Sequence, residues 1–301
     1  MPLVRHGALR RRLAFAHRFA RAAAERRREE RAHPIRPAPR RPDPTTWRDD
    51  RITLAWLGHA TVLLNVYGTW LLTDPALASR VGLAIPGITF GPRRLVAPAL
   101  LAHELPRLDG VLLSHAHMDH TDMATLRRLP RGTAAVVQIG NRDLVRRFRA
   151  VHEVGWGEAV EIGGVRIEAT PARHWGARMI TDRHRGYGGF LLQARGRTLL
   201  FAGDTAHTDR FVPLGRRHAI DVAMLPIGAY DPWIANHASP EEAWAMGRDL
   251  RARWVVPIHH ATFRLSREPV DEPIRRLLTA AGPARDRVVV TEIGQTWTLP
   301  E

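Results

Sequence analysis

The 301-residue chain contains no cysteine and no lysine. The first absence excludes disulfides and thiolate metal sites, so any bound metal needs nitrogen and oxygen ligands. The second leaves arginine as the whole of the basic complement, 45 residues against 30 acidic ones, for a formal charge of +15. It reads as a compositional bias. No apolar run approaches the ~18–20 residues needed to span a bilayer. The stretch after Arg10, Arg11 and Arg12 is interrupted by His17 and Arg18, which argues against a secretory signal. What remains, 45% hydrophobic and 25% charged residues, is the composition of a globular chain able to bury a substantial core.

The charge is unevenly placed. Residues 1–46 hold 13 arginines and 4 acids, +9 of the total of +15. The remainder is only mildly basic, which weakens a nucleic-acid reading. Within 8–30, Leu9, Leu13, Ala16, Phe19, Ala20 and Ala23 recur at helical spacing. Two readings stand: a solvated helical extension, or a basic amphipathic helix lying on anionic lipid. Pro34, Pro37, Pro39, Pro42 and Pro44 then read as a linker. The expected organisation is an extension over 1–46 and one domain over 47–301.

From Trp47 onward, short strands dominate. The patterns predict strands over 52–57, 61–66, 69–73, 111–114, 134–138, 159–162, 165–170, 189–194, 198–202, 221–225, 255–258, 288–291 and 295–298. Helices are predicted over 122–129, 141–149, 240–250 and 272–281. Ser239-Pro240-Glu241-Glu242 is a helix start, with serine as N-cap and proline at the first position. Strands interleaved with helices point to an α/β sandwich.

The strongest chemical signal is Ser114-His115-Ala116-His117-Met118-Asp119-His120, entered directly from the apolar run Val111-Leu112-Leu113. In extended backbone His115 and His117 project to one side. Imidazole and carboxylate suit zinc, iron or manganese. Completion from elsewhere is needed, and three further polar clusters stand at strand ends: Arg173-His174-Trp175, Gly203-Asp204-Thr205 and Pro257-Ile258-His259-His260.

This order, H-x-H-x-D-H, a histidine, G-D-T and a final histidine, resembles the metallo-β-lactamase fold hydrolases. Trp56-Leu57-Gly58-His59-Ala60-Thr61-Val62, Thr73-Asp74-Pro75, Gly91-Pro92-Arg93-Arg94, Pro226-Ile227-Gly228-Ala229-Tyr230, His237-x-x-Pro240-Glu241-Glu242-Ala243 and His259-x-x-Thr262-Phe263 are similar to the branch containing N-acyl-phosphatidylethanolamine-hydrolysing phospholipase D. The resemblance spans roughly residues 50–265. It implies a four-layer αββα sandwich. It also implies two divalent ions, zinc first and iron or manganese as alternatives. His115, His117 and His174 would hold one ion, Asp119, His120 and His259 the other, and Asp204 would bridge them. His260 would pack rather than ligate.

With two cations roughly 3.5–4 Å apart, a bridging hydroxide is the expected nucleophile. Asp119 and His237 are the candidate catalytic side chains, His237 toward the phosphate or leaving group; capping the helix at Pro240 is its alternative role. Tyr230 lies in a motif near the site. His59 would either stand behind the metals or make a structural hydrogen bond in the Gly58 turn. The apolar segment Pro75–Leu101, which carries no acid, would border an acyl-chain site or pack on the sheet.

The leading expectation is a phosphodiesterase of phospholipase D type acting on a lipid. It would be cytoplasmic, with peripheral membrane contact through residues 8–30. Hydrolysis of a lactone or carboxylic ester is the second reading, and a nuclease the third.

Overall fold

A computed structural model describes residues 28, 30 and 32–301, apart from 86, 87 and 180. The chain divides into two compact units, Met1–Arg36 and Pro37–Glu301. In the first, Arg28, Glu30 and Ala32 are helical; the rest of the helix expected over 8–30 lies outside the described residues. The proline-rich residues 37–46 group with the larger unit. Ala38 packs against its core, the Arg40 amide donates to the Ile293 carbonyl at 3.1 Å, and Arg40 and Arg41 pair with Glu292 and Glu104.

Two sheets make up the larger unit. The first contains β1 (Ile52–Gly58), β2 (Thr61–Val66), β3 (Thr69–Thr73), β6 (Gly110–Leu113), β7 (Ala134–Gln138), β8 (Ala150–Val154) and β15 (Thr296–Thr298), in the order β15-β1-β2-β3-β6-β7-β8. The second contains β9 (Ala159–Ile162), β10 (Val165–Thr170), β11 (Gly189–Ala194), β12 (Arg197–Phe201), β13 (Val222–Pro226) and β14 (Trp254–Ile258), in the order β14-β13-β12-β11-β10-β9. A hairpin, β4 (Leu83–Ile85) and β5 (Ile88–Phe90), stands apart. Both sheets mix antiparallel meanders with parallel pairs: β3-β6-β7-β8 in the first, β12-β13-β14 in the second.

The main core joins residues of both sheets, Leu54, Leu64 and Val111 from one and Ile167, Phe190 and Met224 from the other. Burial on both faces explains why β6, β7 and β13 read as unbroken apolar runs. The opposite face of the second sheet, through Leu191, Leu200, Ala223 and Val255, packs against helices α2 (Phe211–Arg217), α3 (Pro240–Asp249) and α4 (Glu272–Ala281). Beside the first sheet the helical layer is thin: the single turn α1 (Met123–Leu126) and the 3₁₀ turn Arg142–Val145 occupy the crossovers between its parallel strands. The result is the expected α/β sandwich with helices outermost.

Most predicted elements form within a residue or two. The capping box at Ser239 is present: Ser239 Oγ accepts the Glu242 amide at 3.2 Å while the Glu242 carboxylate accepts the Ser239 amide at 2.9 Å. Two predictions fail. The helix expected over 141–149 is one 3₁₀ turn, because the Glu153 carboxylate accepts the amides of Gly140, Asn141 and Arg142 and folds the chain back into β8. The strand expected over 288–291 reduces to one bridge between Val288 and Val255. Val290 turns to φ +58, and the Thr291 amide is taken by the Gln295 side chain. α2 escaped prediction because Pro213 and Gly215 interrupt it; its hold is tertiary, through buried Phe211 and Leu214.

The segment 75–101 mostly packs: Ala76, Leu77, Val81, Val96, Ala99 and Leu100 are buried. Arg94, only 2% exposed, ties its ends by donating to the carbonyls of Ala76, Ala78 and Val96.

Candidate metal centre

Four loops at the ends of β6, β10, β12 and β14 bring the predicted residues together. His115–His120 follows β6, where the chain turns as the amides of His120 and Thr121 donate hydrogen bonds to the His117 carbonyl. His174 follows β10, Asp204 follows β12, and His259 follows β14. The third loop can come this close because residue 203 is glycine, at φ +61; a Cβ there would lie 2.6 Å from Ser114 Cβ.

Within the first group, His115, His117, His174 and Asp204, the ligand atoms lie within 4.8 Å of one another. Their tautomers follow from their outer contacts. Ser114 Oγ donates to Asp74 at 2.5 Å, so His115 Nδ1 donates to that oxygen at 2.8 Å. His174 Nδ1 donates to the Asn236 carbonyl at 2.9 Å. Both Nε2 atoms are therefore lone-pair donors, and both face His117 Nδ1, at 2.9 and 3.2 Å. One nitrogen can offer a proton to only one of them. Three imidazole nitrogens converging on so little hydrogen make a cation site.

The second group is Asp119, His120 and His259, with His59 beside them. His120 Nδ1 donates to Asp74 at 2.6 Å, which turns Nε2 inward. Asp204 Oδ2 stands 3.1 Å from Nε2 of both His120 and His259, and Asp119 Oδ2 stands 3.7 Å from each. None of these contacts has hydrogen-bond alignment. The Nε2 atoms of His120 and His259 and both oxygens of Asp204 are buried without a hydrogen-bond partner. A buried unpaired polar group costs about 1–3 kcal/mol, more when charged, so four in one place mark a site completed by something else. The donor set, all imidazole and carboxylate, fits divalent transition metals.

Electrostatics agree with that fit. Burial, reinforced by neighbouring imidazoles, holds His115 well below the ordinary histidine value. Burial also lowers His117 and His174 to about 4. These three are neutral, the form that ligates a metal. Burial would raise Asp119 and Asp204, but the adjacent imidazoles outweigh it and hold both carboxylates well below their usual range. Burial would likewise lower His120 and His259, yet Asp204 with Asp119 lifts both, His259 to about 9. Protons on these two rings balance the carboxylates in the metal-free protein, and a bound cation would displace them.

The remaining named residues divide. His237 joins the cluster: its Nδ1 is buried and unpaired, 3.8 Å from Asp204 Oδ2, and its ring lies 5.0 Å from His174. His260 stacks on Trp56 at 4.5 Å. Tyr230 does not join; its hydroxyl donates to Glu272 at 2.7 Å. Asp74, which appears in the sequence only within a motif, turns out to organise two ligands at once, accepting from Ser114 N, Ser114 Oγ and His120 Nδ1. Its position at the end of apolar β3 was the available signal.

Comparison with known proteins places this arrangement. The Beta-lactamase superfamily domain matches residues 69–260. The N-acyl-phosphatidylethanolamine-hydrolyzing phospholipase D 1 of Caenorhabditis elegans is 31% identical over 268 residues, covering 80% of this chain and 74% of that protein. A UPF0173 metal-dependent hydrolase of Shouchella clausii is 30% identical over 225 residues, 70% of this chain and 94% of its own length. Among solved structures, the isothiocyanate hydrolase from Delia radicum gut bacteria shares the fold with a TM-score of 0.68 at 20% identity, over 83% of this chain and all of that one. With the sheets, the loop-borne cluster and these relatives in agreement, the chain belongs to the β-lactamase superfamily and is a metal-dependent hydrolase of the metallo-β-lactamase fold.

Proposed function

We propose that the protein is a two-metal phosphodiesterase of phospholipase D type, acting on N-acyl-phosphatidylethanolamine-like lipids. The observation that carries the two-metal part is the sharing of Asp204: it closes the group His115, His117 and His174 and also faces His120 and His259. Zinc is the proposed metal. Two such ions would generate a nucleophile from water near neutral pH and stabilise negative charge on the phosphoryl oxygens.

The chain's own side chains supply the rest. His237, lowered to about 3 by burial, is a neutral imidazole at the rim of the cluster, able to hydrogen-bond a phosphoryl oxygen or the departing alcohol. Asp119 keeps its charge beside the second group. A cavity of about 600 Å³ opens beside His174, lined by Arg173, Tyr187, His207 and Arg210, whose cations suit a phosphate-bearing headgroup. Support for an apolar substrate comes from Trp175, Met179, Trp233 and Ile234, all about half exposed. Trp175 follows His174 and packs edge-on against His117 at 4.7 Å; Trp233 and Ile234 precede Asn236, whose carbonyl holds His174. Exposed aromatics beside a site are where lipid contact is expected. Among the described residues no helix is long and apolar enough to cross a membrane, and membrane contact through 8–30 remains part of the proposal.

The test is a substrate panel on protein of known metal content: an N-acyl phosphatidylethanolamine, a water-soluble phosphodiester and a lactone. Release of phosphatidic acid from the first is the expected result. Turnover of the lactone with both phosphodiesters inert would replace the proposal by a carboxylic ester hydrolase.

A further inference from the structure

His59 sits in the turn between β1 and β2 and is 1% exposed. Its backbone lies in the left-handed region, at φ +54, a conformation that a non-glycine residue keeps only where its surroundings impose it. The surroundings are specific. The His59 amide donates to Thr262 Oγ1 at 2.6 Å. Its carbonyl accepts Trp56 Nε1 at 2.7 Å and the His259 amide at 2.9 Å. Its ring packs 4.1 Å from the His259 ring and edge-on to Phe263 at 5.2 Å. Its Nε2 donates to Asp119 Oδ2 at 3.0 Å.

Geometry alone groups His59 with Asp119, His120 and His259 as a fourth donor. The hydrogen bond argues otherwise. A carboxylate that ligates a cation has only lone pairs to offer, so at 3.0 Å His59 Nε2 is the donor to Asp119 Oδ2, and that nitrogen has no lone pair to give. The oxygen that receives it, Oδ2, is the one facing Nε2 of His120 and His259. With one lone pair taken by His59, the other is turned toward those two nitrogens. At the same time the His59 carbonyl fixes the backbone from which His259 projects.

We infer that His59 is a positioning residue for the second metal site and not a ligand. Through its ring it aims Asp119, and through its carbonyl it places His259, while touching none of His115, His117 or His174. The inference rests on the two-metal reading above. It predicts a selective defect, since outer-sphere partners of metal ligands typically govern 10–100-fold in affinity.

The test is cobalt(II) titration of metal-stripped wild type, His59→Phe and His59→Gln, followed by ion stoichiometry and visible absorption, with thermal melting as a check of folding. Phenylalanine keeps the ring and removes the donor; glutamine keeps an N–H donor. In His59→Phe the first equivalent is expected to bind as in wild type and the second at least about 10-fold more weakly, with glutamine recovering much of the loss. Equal binding of both ions by His59→Phe, equal weakening of both, or no recovery in His59→Gln overturns the assignment. A wild type that binds fewer than two ions overturns the two-metal reading and His59's role with it.

Discussion

Replacing Gly203 by alanine tests whether the metal loops are held by close backbone approach. Gly203 lies at φ +61, and an added Cβ would stand 2.6 Å from Ser114 Cβ, 2.9 Å from the Gly188 carbonyl and 3.0 Å from Ser114 Oγ. The left-handed backbone costs alanine about 1–2 kcal/mol, and forcing a methyl into packed surroundings about 1–3 kcal/mol more. The expected loss is therefore about 2–5 kcal/mol, a fall of roughly 4–20 °C in melting temperature for a unit of this size. Gly196 is the control, at φ +76 with nothing within 4 Å of its added Cβ; Gly196→Ala should incur only the backbone part. Ser114 also binds Asp74, which binds His120, so Gly203→Ala should weaken metal binding and Gly196→Ala should not. Urea unfolding of chelator-treated protein, with a metal titration alongside, measures both effects. Equal losses in the two variants, or wild-type metal affinity in Gly203→Ala, would show that the contact with Ser114 has no part in holding the site.

Three further outcomes are expected. Asp204→Asn and His117→Ala should each lower turnover by orders of magnitude; near-wild-type rates with metal content confirmed would refute the two-metal mechanism. In the metal-free protein, stability should peak near pH 6.5. Below that value the unfolded chain protonates histidines that the fold keeps neutral, among them His117 and His174 at about 4 and His59, His237 and His260 at about 3. Each costs up to about 1.4 kcal/mol per pH unit. Above it, the folded-state protons on His120 and His259 are lost, the latter as pH passes about 9. Metal should abolish the alkaline decline, and chemical denaturation at a series of pH values with and without zinc checks this. Removing residues 1–36 should leave the melting of the larger unit intact and reduce co-sedimentation with anionic vesicles; unchanged co-sedimentation excludes the lipid role of the extension. The cut belongs at 36 because Arg40 and Arg41 are tied to Glu292 and Glu104.

Elements with a strong local period were legible in advance, and those held by distant partners were not. The α3 start was readable because serine, proline and glutamate act within one turn. The 141–149 segment has helical spacing, but a carboxylate eleven to thirteen residues away in the next strand decides its course. β8 has half-buried residues on an edge and so shows no alternation.

The chemistry divides along the same line. The cluster His115 to His120, and the strand ends at His174, Asp204 and His259, were visible because a metal site needs particular donor types, and those types are scarce at strand ends by chance. That much was determined by sequence alone. Which nitrogen of each ring faces inward, the role of Asp74, the removal of Tyr230 to Glu272 and the hold of His59 on Asp119 were decided only in three dimensions. Each depends on a hydrogen-bond partner from another element: Asn236 for His174, Asp74 for His120 and Asp119 for His59. Ring orientation is a property of pairs, and the pairs form only when the sheets bring their loops to one end.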